Sequence, residues 1–185
     1  MERNARHGDG VGRAMLWGAY TRWGLAVAVA SAAIDQVSKL WLLYVFDLRA
    51  RMPVRLTPFL DLVLTWNKGI SYGLFQQEGP LGQGVLLAVK AAAVALLWLW
   101  LARARSRLTA IALGLIIGGA VGNAVDRLLH DAVVDFILFH ITTETINFNW
   151  YVFNLADAAI VAGVAGLLYE STLGDHAAKA PRSPT

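Results

Sequence analysis

The chain has 185 residues, 57% of them hydrophobic and only 16% charged, with a formal charge of +3. A soluble domain carries about a quarter charged residues, so this composition excludes an ordinary water-soluble enzyme and implies an integral membrane protein with short loops. The absence of cysteine excludes disulfides and thiolate chemistry, and the scattered His7, His130, His140 and His176, without HExxH or paired spacing, argue against a metal site.

Residues 1–22 are polar, Gly-rich and basic and read as a tail. The first span is predicted over Trp23–Phe46, long enough as a helix to cross about 30 Å of hydrocarbon. It carries Asp35 and Lys39, spaced to share one helical face. They form an internal ion pair, a hold on other polar groups, or both.

Residues 47–80 form the longest polar segment between spans. Asp47–Arg55 is a charged turn region. Arg55–Trp66 has partial alternation with β-branched and aromatic content and predicts one or two short strands. Asn67, Gly69, Gly73, Gly79 and Pro80 are turn residues. Ile70, Tyr72, Leu74 and Phe75 are suited to dip into the membrane interface.

The second span is predicted over Leu81–Ala102. Lys90 is unexpected at this depth and would either snorkel or pair with a carboxylate on a neighbouring helix. The short basic turn of Arg103, Arg105 and Arg107 makes spans two and three antiparallel neighbours. The third span, Leu108–Val125, contains Gly114, Gly118, Gly119 and Gly122, a small-residue face that permits close helix approach. Asn123, Asp126 and Arg127 come at its end.

The second outer segment is 126–150. In it, Val133–Phe139 reads as an extended or re-entrant piece and Thr142–Asn149 as a polar loop. The fourth span is predicted over Tyr151–Tyr169, with Asn154 and Asp157 in its first turns. A tail follows over 171–185. The expected fold is therefore an all-α membrane protein, with four transmembrane helices in a single domain over 23–170, a small extracytoplasmic β-sheet and an outer loop over a cleft. Basic residues are more numerous on the side of the two tails and the 103–107 turn, which puts both termini in the cytoplasm. The basic excess then reflects topology and implies no nucleic-acid partner. A monomer is expected.

On this topology, Asp126, Asp131, Asp135 and Asp157 all gather near the outer membrane surface. Two carboxylates sharing one site cannot both ionise cheaply; one keeps a proton while the other takes a proton from water. Such a pair can attack an amide and protonate the leaving nitrogen. Other readings stand beside this one. Asp126–Arg127 is also a plausible helix-end ion pair, Asn154 and Asp157 are plausible helix-capping partners, and Asp131 reads as solvated surface. A small transporter or channel subunit using the intramembrane charges is the alternative function.

Five motifs add a resemblance. They are Asp35-Gln36-Val37-Ser38-Lys39, Asn67-Lys68-Gly69-Ile70-Ser71-Tyr72-Gly73, Gly122-Asn123-Ala124-Val125-Asp126-Arg127, Val133-Val134-Asp135-Phe136-Ile137 and Phe153-Asn154-Leu155-Ala156-Asp157. In this order the chain resembles the lipoprotein signal peptidases, the bacterial type II signal peptidases. The resemblance implies an aspartic peptidase of the cytoplasmic membrane that cuts diacylglyceryl-modified prolipoproteins just before the lipidated cysteine. It implies Asp135 and Asp157 as the catalytic pair. Asp35, Lys39, Asn67, Gly69, Asn123, Asp126, Arg127 and Asn154 become supporting or substrate-contact positions. It implies no metal or organic cofactor, partnership with membrane lipid, and sensitivity to the cyclic peptide globomycin. Tyr72 stands where the family more usually has phenylalanine or tryptophan, and the connection from Asp135 to Asp157 is slightly long.

Overall fold

The computed structural model describes residues 16–69 and 80–179. The expectations for residues 1–15, 70–79 and 180–185 lie outside the described residues, as does the side chain of Lys90. Among the described residues, nine elements follow in chain order. They are helix α1 (Thr21–Leu40, continued by a π-helical turn, Trp41–Val45), the short α2 (Leu48–Arg51), strands β1 (Val54–Thr57) and β2 (Leu60–Asn67), helices α3 (Pro80–Ala102) and α4 (Arg107–His130), strands β3 (Val133–Thr142) and β4 (Asn147–Phe153), and helix α5 (Leu155–Lys179).

Among the described residues, three helical stretches are long and apolar enough to cross a membrane: Thr21–Val45, Arg107–His130 and Leu155–Thr172. The expectation of four is met in part, since the described apolar stretch of α3 is the shorter Ala91–Ala102. The protein is thus a helical membrane protein carrying a small antiparallel sheet.

Helix α4 is the hub, packed against α1, α3 and α5. Its glycines explain how. A Cβ at Gly114 would stand 2.4 Å from the Gly24 carbonyl oxygen, and one at Gly118 would stand 2.4 Å from that of Ala28, so α1 lies directly on this stripe. A Cβ at Gly119 would stand 2.4 Å from the Ala156 carbonyl oxygen of α5. The small-residue face read from the sequence is therefore two faces, one for each neighbour. At one end of the bundle the guanidinium groups of Arg22 and Arg107 lie 5.8 and 5.5 Å from the Trp23 ring, which brings the starts of α1 and α4 together. Ser106 caps α4, its hydroxyl accepting from the Thr109 N–H at 3.0 Å. This satisfies one of the donors left free in the first turn.

At the other end sits a four-stranded antiparallel sheet in the order β1-β2-β3-β4. Leu42, Leu48 and Phe136 form its buried core with the half-buried Val54, Leu62, Leu64, Ile137 and Leu155, and so join the sheet to the end of α1 and the start of α5. The strands expected within Arg55–Trp66 are β1 and β2. Val133–Phe139 takes the extended alternative rather than the re-entrant one, as part of an interior strand that pairs with β2 and β4. The outer loop is likewise replaced by a hairpin, because the aromatic and β-branched residues of Asn147–Phe153 pair with β3.

The last helix runs on past Tyr169 to Lys179, into the expected tail, and two further helix bounds shift with the sheet. The last helix starts at Leu155, four residues later than Tyr151, since β4 takes the intervening chain. Helix α4 runs on past Val125 to His130 and ends where Asp131 adopts a left-handed φ of 55°. It can continue because Asp126 and Arg127 find partners within the fold.

Candidate active site

The site lies where α1, α4, α5 and the sheet meet. The fold brings together all ten residues singled out in the sequence. The ion pair of Asp35 and Lys39 is present, with Nζ 2.7 Å from Asp35 Oδ2. Both side chains are buried, at 1% and 2% exposure. A buried ammonium is tolerated only when its hydrogen-bonding capacity is met. The Lys39 ammonium also reaches Asp126 Oδ2 at 2.7 Å and Asn123 Oδ1 at 3.3 Å.

Asp126 corrects one expectation. It pairs with Lys39 rather than Arg127, and accepts the Val134 N–H at 3.0 Å and the Gln36 side-chain amide at 2.7 Å. Helical geometry explains the difference, because adjacent helix residues point in different directions. Arg127 instead donates to two carbonyls, those of Asn123 at 3.2 Å and Gly69 at 2.9 Å. It thereby holds the turn after β2, in which the Asn67 side-chain oxygen accepts the Gly69 N–H at 3.1 Å.

That turn aims Asn67 at Asp135. The Asn67 Nδ2 donates to Asp135 Oδ2 at 3.0 Å, and Asn154 Nδ2 donates to Asp135 Oδ1 at 2.6 Å. Asp135 is only 2% exposed. Burial pushes its carboxyl up from 3.8 to about 6, against the lowering effect of the Asn67 hydrogen bond; the nearby Asp157 charge raises it further.

Asp157 is half-buried. Its Oδ1 accepts from Asn123 Nδ2 at 2.9 Å and its Oδ2 from the Asn154 N–H at 3.3 Å. The Asp157 N–H donates back to Asn154 Oδ1 at 3.0 Å, so the capping read from the sequence is present. Asn154, fully buried, consequently touches both carboxylates. It also donates to Asn123 Oδ1 at 3.0 Å.

Asp131, exposed at the end of α4, stays outside this network and reads as surface. Gln36 also belongs to the site, although the sequence reading does not single it out within Asp35-Gln36-Val37-Ser38-Lys39. Its amide donates to Asp126, to the Gly122 carbonyl at 3.0 Å and to Asp35 at 3.3 Å. Its position beside Asp35 was the available signal. Gly122 was read only as a packing residue. A Cβ there would stand 2.6 Å from Asp35 Oδ2, so the glycine also makes room for the network. Among the described residues no group of histidines and carboxylates suited to a metal ion occurs.

The arrangement is one of a buried carboxyl with a raised hold on its proton beside a second, more open carboxyl group, both fixed by N–H donors. It suits acid–base hydrolysis without a covalent intermediate.

Comparisons with known proteins agree. Residues 27–173 match the family model described as signal peptidase (SPase) II. The chain is 61% identical over 160 residues to a lipoprotein signal peptidase of Nitrobacter hamburgensis, a match spanning 86% of this chain and 98% of that one. A lipoprotein signal peptidase of Rhodopseudomonas palustris is 56% identical over the same shares. Two solved structures of bacterial membrane enzymes, determined in meso at 1.9 and 2.3 Å resolution, superpose with TM-scores of 0.65 and 0.62 at 22% identity. They cover 84% and 88% of this chain, and 96% and 94% of their own, and share its fold.

The class is thereby defined: a multi-pass aspartic endopeptidase of the inner membrane. Within that class, the chain belongs to the signal peptidase II family.

Proposed function

We propose that Asp135 and Asp157 are the catalytic pair with which this enzyme removes the signal peptide from diacylglyceryl-modified prolipoproteins, cutting just before the lipidated cysteine. The observation that carries the assignment is that one residue, Asn154, bonds to both carboxylates, its side-chain amide donating to Asp135 and its backbone N–H to Asp157. Supporting it, the relatives that match nearly end to end are lipoprotein signal peptidases.

In this mechanism Asp157 takes a proton from water as the oxygen attacks the scissile carbonyl. Asp135 gives its proton to the departing nitrogen. The roles divide by environment. Asp157 accepts two N–H bonds in the first turn of a helix, where negative charge is favoured. Asp135 is buried, with its carboxyl held up near 6. Asn67 and Asn154 align the pair, and Arg127 sets the Asn67 turn through Gly69. Asp35, Lys39, Asn123 and Asp126 support the site from behind, and no metal or organic cofactor takes part.

The domain is 23–170, with α3 as a fourth span between tails 1–22 and 171–185. The basic bias puts both tails in the cytoplasm and the sheet on the outer side. Substrate enters sideways from the lipid, its acyl chains remaining there. Globomycin occupies the same cleft, and one copy of the chain suffices.

The test is cleavage of a lipidated pre-lipoprotein in lipid nanodiscs. The parent chain processes it, while Asp135→Asn and Asp157→Asn insert normally and lose at least about 10³-fold in turnover. Substantial cleavage by both variants would remove the assignment.

A further inference from the structure

The two aspartates of the proposed pair are held in a parallel manner that no single motif reveals. The residue before Asp135 is Val134, whose N–H is bound by the buried carboxylate of Asp126 at 3.0 Å. The residue before Asp157 is Ala156, whose N–H is bound by the buried carboxylate of Asp35 at 2.9 Å. Each partner of the pair therefore hangs from a backbone hook formed by another aspartate. The two hooks meet at one group. Lys39 Nζ lies 2.7 Å from Asp35 and 2.7 Å from Asp126. Its third acceptor, Asn123 Oδ1, belongs to the amide that donates to Asp157. An ammonium has three donors, and three acceptors are present. Gln36 spans the same two carboxylates from the side.

The geometry points to Lys39 as a positioning residue that sets the spacing of Asp135 and Asp157 by clasping both backbone hooks. This deepens the catalytic reading and rests on it. Lys39 does not touch the reacting atoms; it acts through Asp35, Asp126 and Asn123. Two carboxylates this close to one another separate when the cation between them is removed. Their hooked segments, β3 and the first turn of α5, then separate with them. Lys39 is 2% exposed and does not meet substrate directly, so binding is little affected, whereas the chemistry depends steeply on the spacing of the pair.

The test uses full-length enzyme in nanodiscs with the lipidated substrate. Lys39→Met is expected to lower kcat at least about 30-fold while KM changes by less than about threefold. A second readout is the pH profile. The charges facing Asp135 are Asp157 on α5, Lys39 on α1 and Arg127 on α4. Lys39 draws the Asp135 carboxyl down, so its loss moves the ionisation of Asp135 in kcat/KM to higher pH. A role confined to folding leaves that ionisation in place.

If Lys39→Met folds poorly, the double variant Asp35→Asn with Lys39→Met removes one charge of each sign and keeps an acceptor for the Ala156 N–H. The ammonium that joins the two hooks is absent there too, so kcat is again expected to fall, by at least about 10-fold. Parental kcat in either variant overturns the clasp, as does an unmoved ionisation in Lys39→Met. Asp135→Asn and Asp157→Asn in the same preparation separate the two ideas. If they are inactive while Lys39→Met turns over normally, the clasp alone fails. If they cleave, the catalytic reading fails and the clasp with it.

Discussion

Asn154 and Asp157 cap one another: the Asp157 N–H donates to the Asn154 side chain at 3.0 Å, and the Asn154 N–H donates to the Asp157 carboxylate at 3.3 Å. This reciprocal arrangement ordinarily starts a helix. Here the same carboxylate is proposed to activate water. On that proposal the first turn of α5 is both a structural terminus and half of the chemistry. Asn154 ties it to the other half through its 2.6 Å bond to Asp135.

The Asn154→Ala variant removes the bond to Asp135 and the side-chain acceptor that caps α5. The expected loss in kcat is about 10²–10³-fold, because misplaced catalytic groups lose most of their advantage. Helix capping contributes a further ~1 kcal/mol to stability, visible as a lower unfolding temperature in detergent. Turnover within a few-fold of the parent chain would mean that the bridge does not organise the pair.

The raised Asp135 carboxyl predicts a pH dependence. The folded chain holds this proton to about 6, against 3.8 for the ordinary group. Between those values the native state binds more protons than the unfolded one, so this group's contribution to stability falls as pH rises through the window. With Asp135 as proton donor, kcat/KM of the parent enzyme should decline above about pH 6. A pH–rate profile with no ionisation near that value would contradict the assignment of Asp135 as the acid.

Arg127→Lys is not a conservative change here. The guanidinium reaches two carbonyls on different segments, Asn123 and Gly69, which a single ammonium on a shorter fork cannot match. The Asn67 turn loosens and its bond to Asp135 weakens. A drop in kcat/KM of about 10-fold or more is expected in the cleavage assay, and an unchanged value would show that the turn is held by other means.

Packing of the hub is testable away from the chemistry. At Gly114 a new side chain meets the Gly24 backbone, so Gly114→Val should cost about 1–3 kcal/mol or more and lower the unfolding temperature. Gly84 on α3 has nothing within 4 Å of an added Cβ. Gly84→Ala should therefore be neutral or raise stability by up to about 1 kcal/mol through helix propensity. Equal effects at the two positions would refute the close α1–α4 crossing.

Much of this was legible because it depends on short-range spacing. Asp35 and Lys39 sit one helical turn apart, Asn154 and Asp157 occupy helix-start positions, and Arg55–Trp66 alternates as strands do. The ends of α4 and α5 were misjudged for a physical reason. Apolar and aromatic residues such as Trp150, Tyr151 and Phe153 suit a span and a strand alike, and pairing with β3 decided between them. The hooks at Val134 and Ala156 were beyond reach of any local pattern, since a backbone N–H carries no residue-type signal. Asp35 and Ala156 lie 121 positions apart. Arg127 beside Asp126 suggested a neighbourly ion pair, but the buried Lys39 provides Asp126 with its counterion instead.

The hairpin between β3 and β4 turns through residues 143–146, where the Thr143 N–H donates to the Ile146 carbonyl at 2.7 Å. This turn is the direct covalent route from Asp135 to Asp157, yet none of the bonds that position the pair passes through it. Asp135 is fastened to Asn67, Asn154 and the Asp126 hook, and Asp157 to Asn123 and the Asp35 hook. Two chains parted there, each keeping its own membrane anchors and strands, are therefore expected to reassemble the pair, and co-expression of the two pieces in the cleavage assay checks it. Continuity of the polypeptide between its two acidic centres is incidental to holding them together.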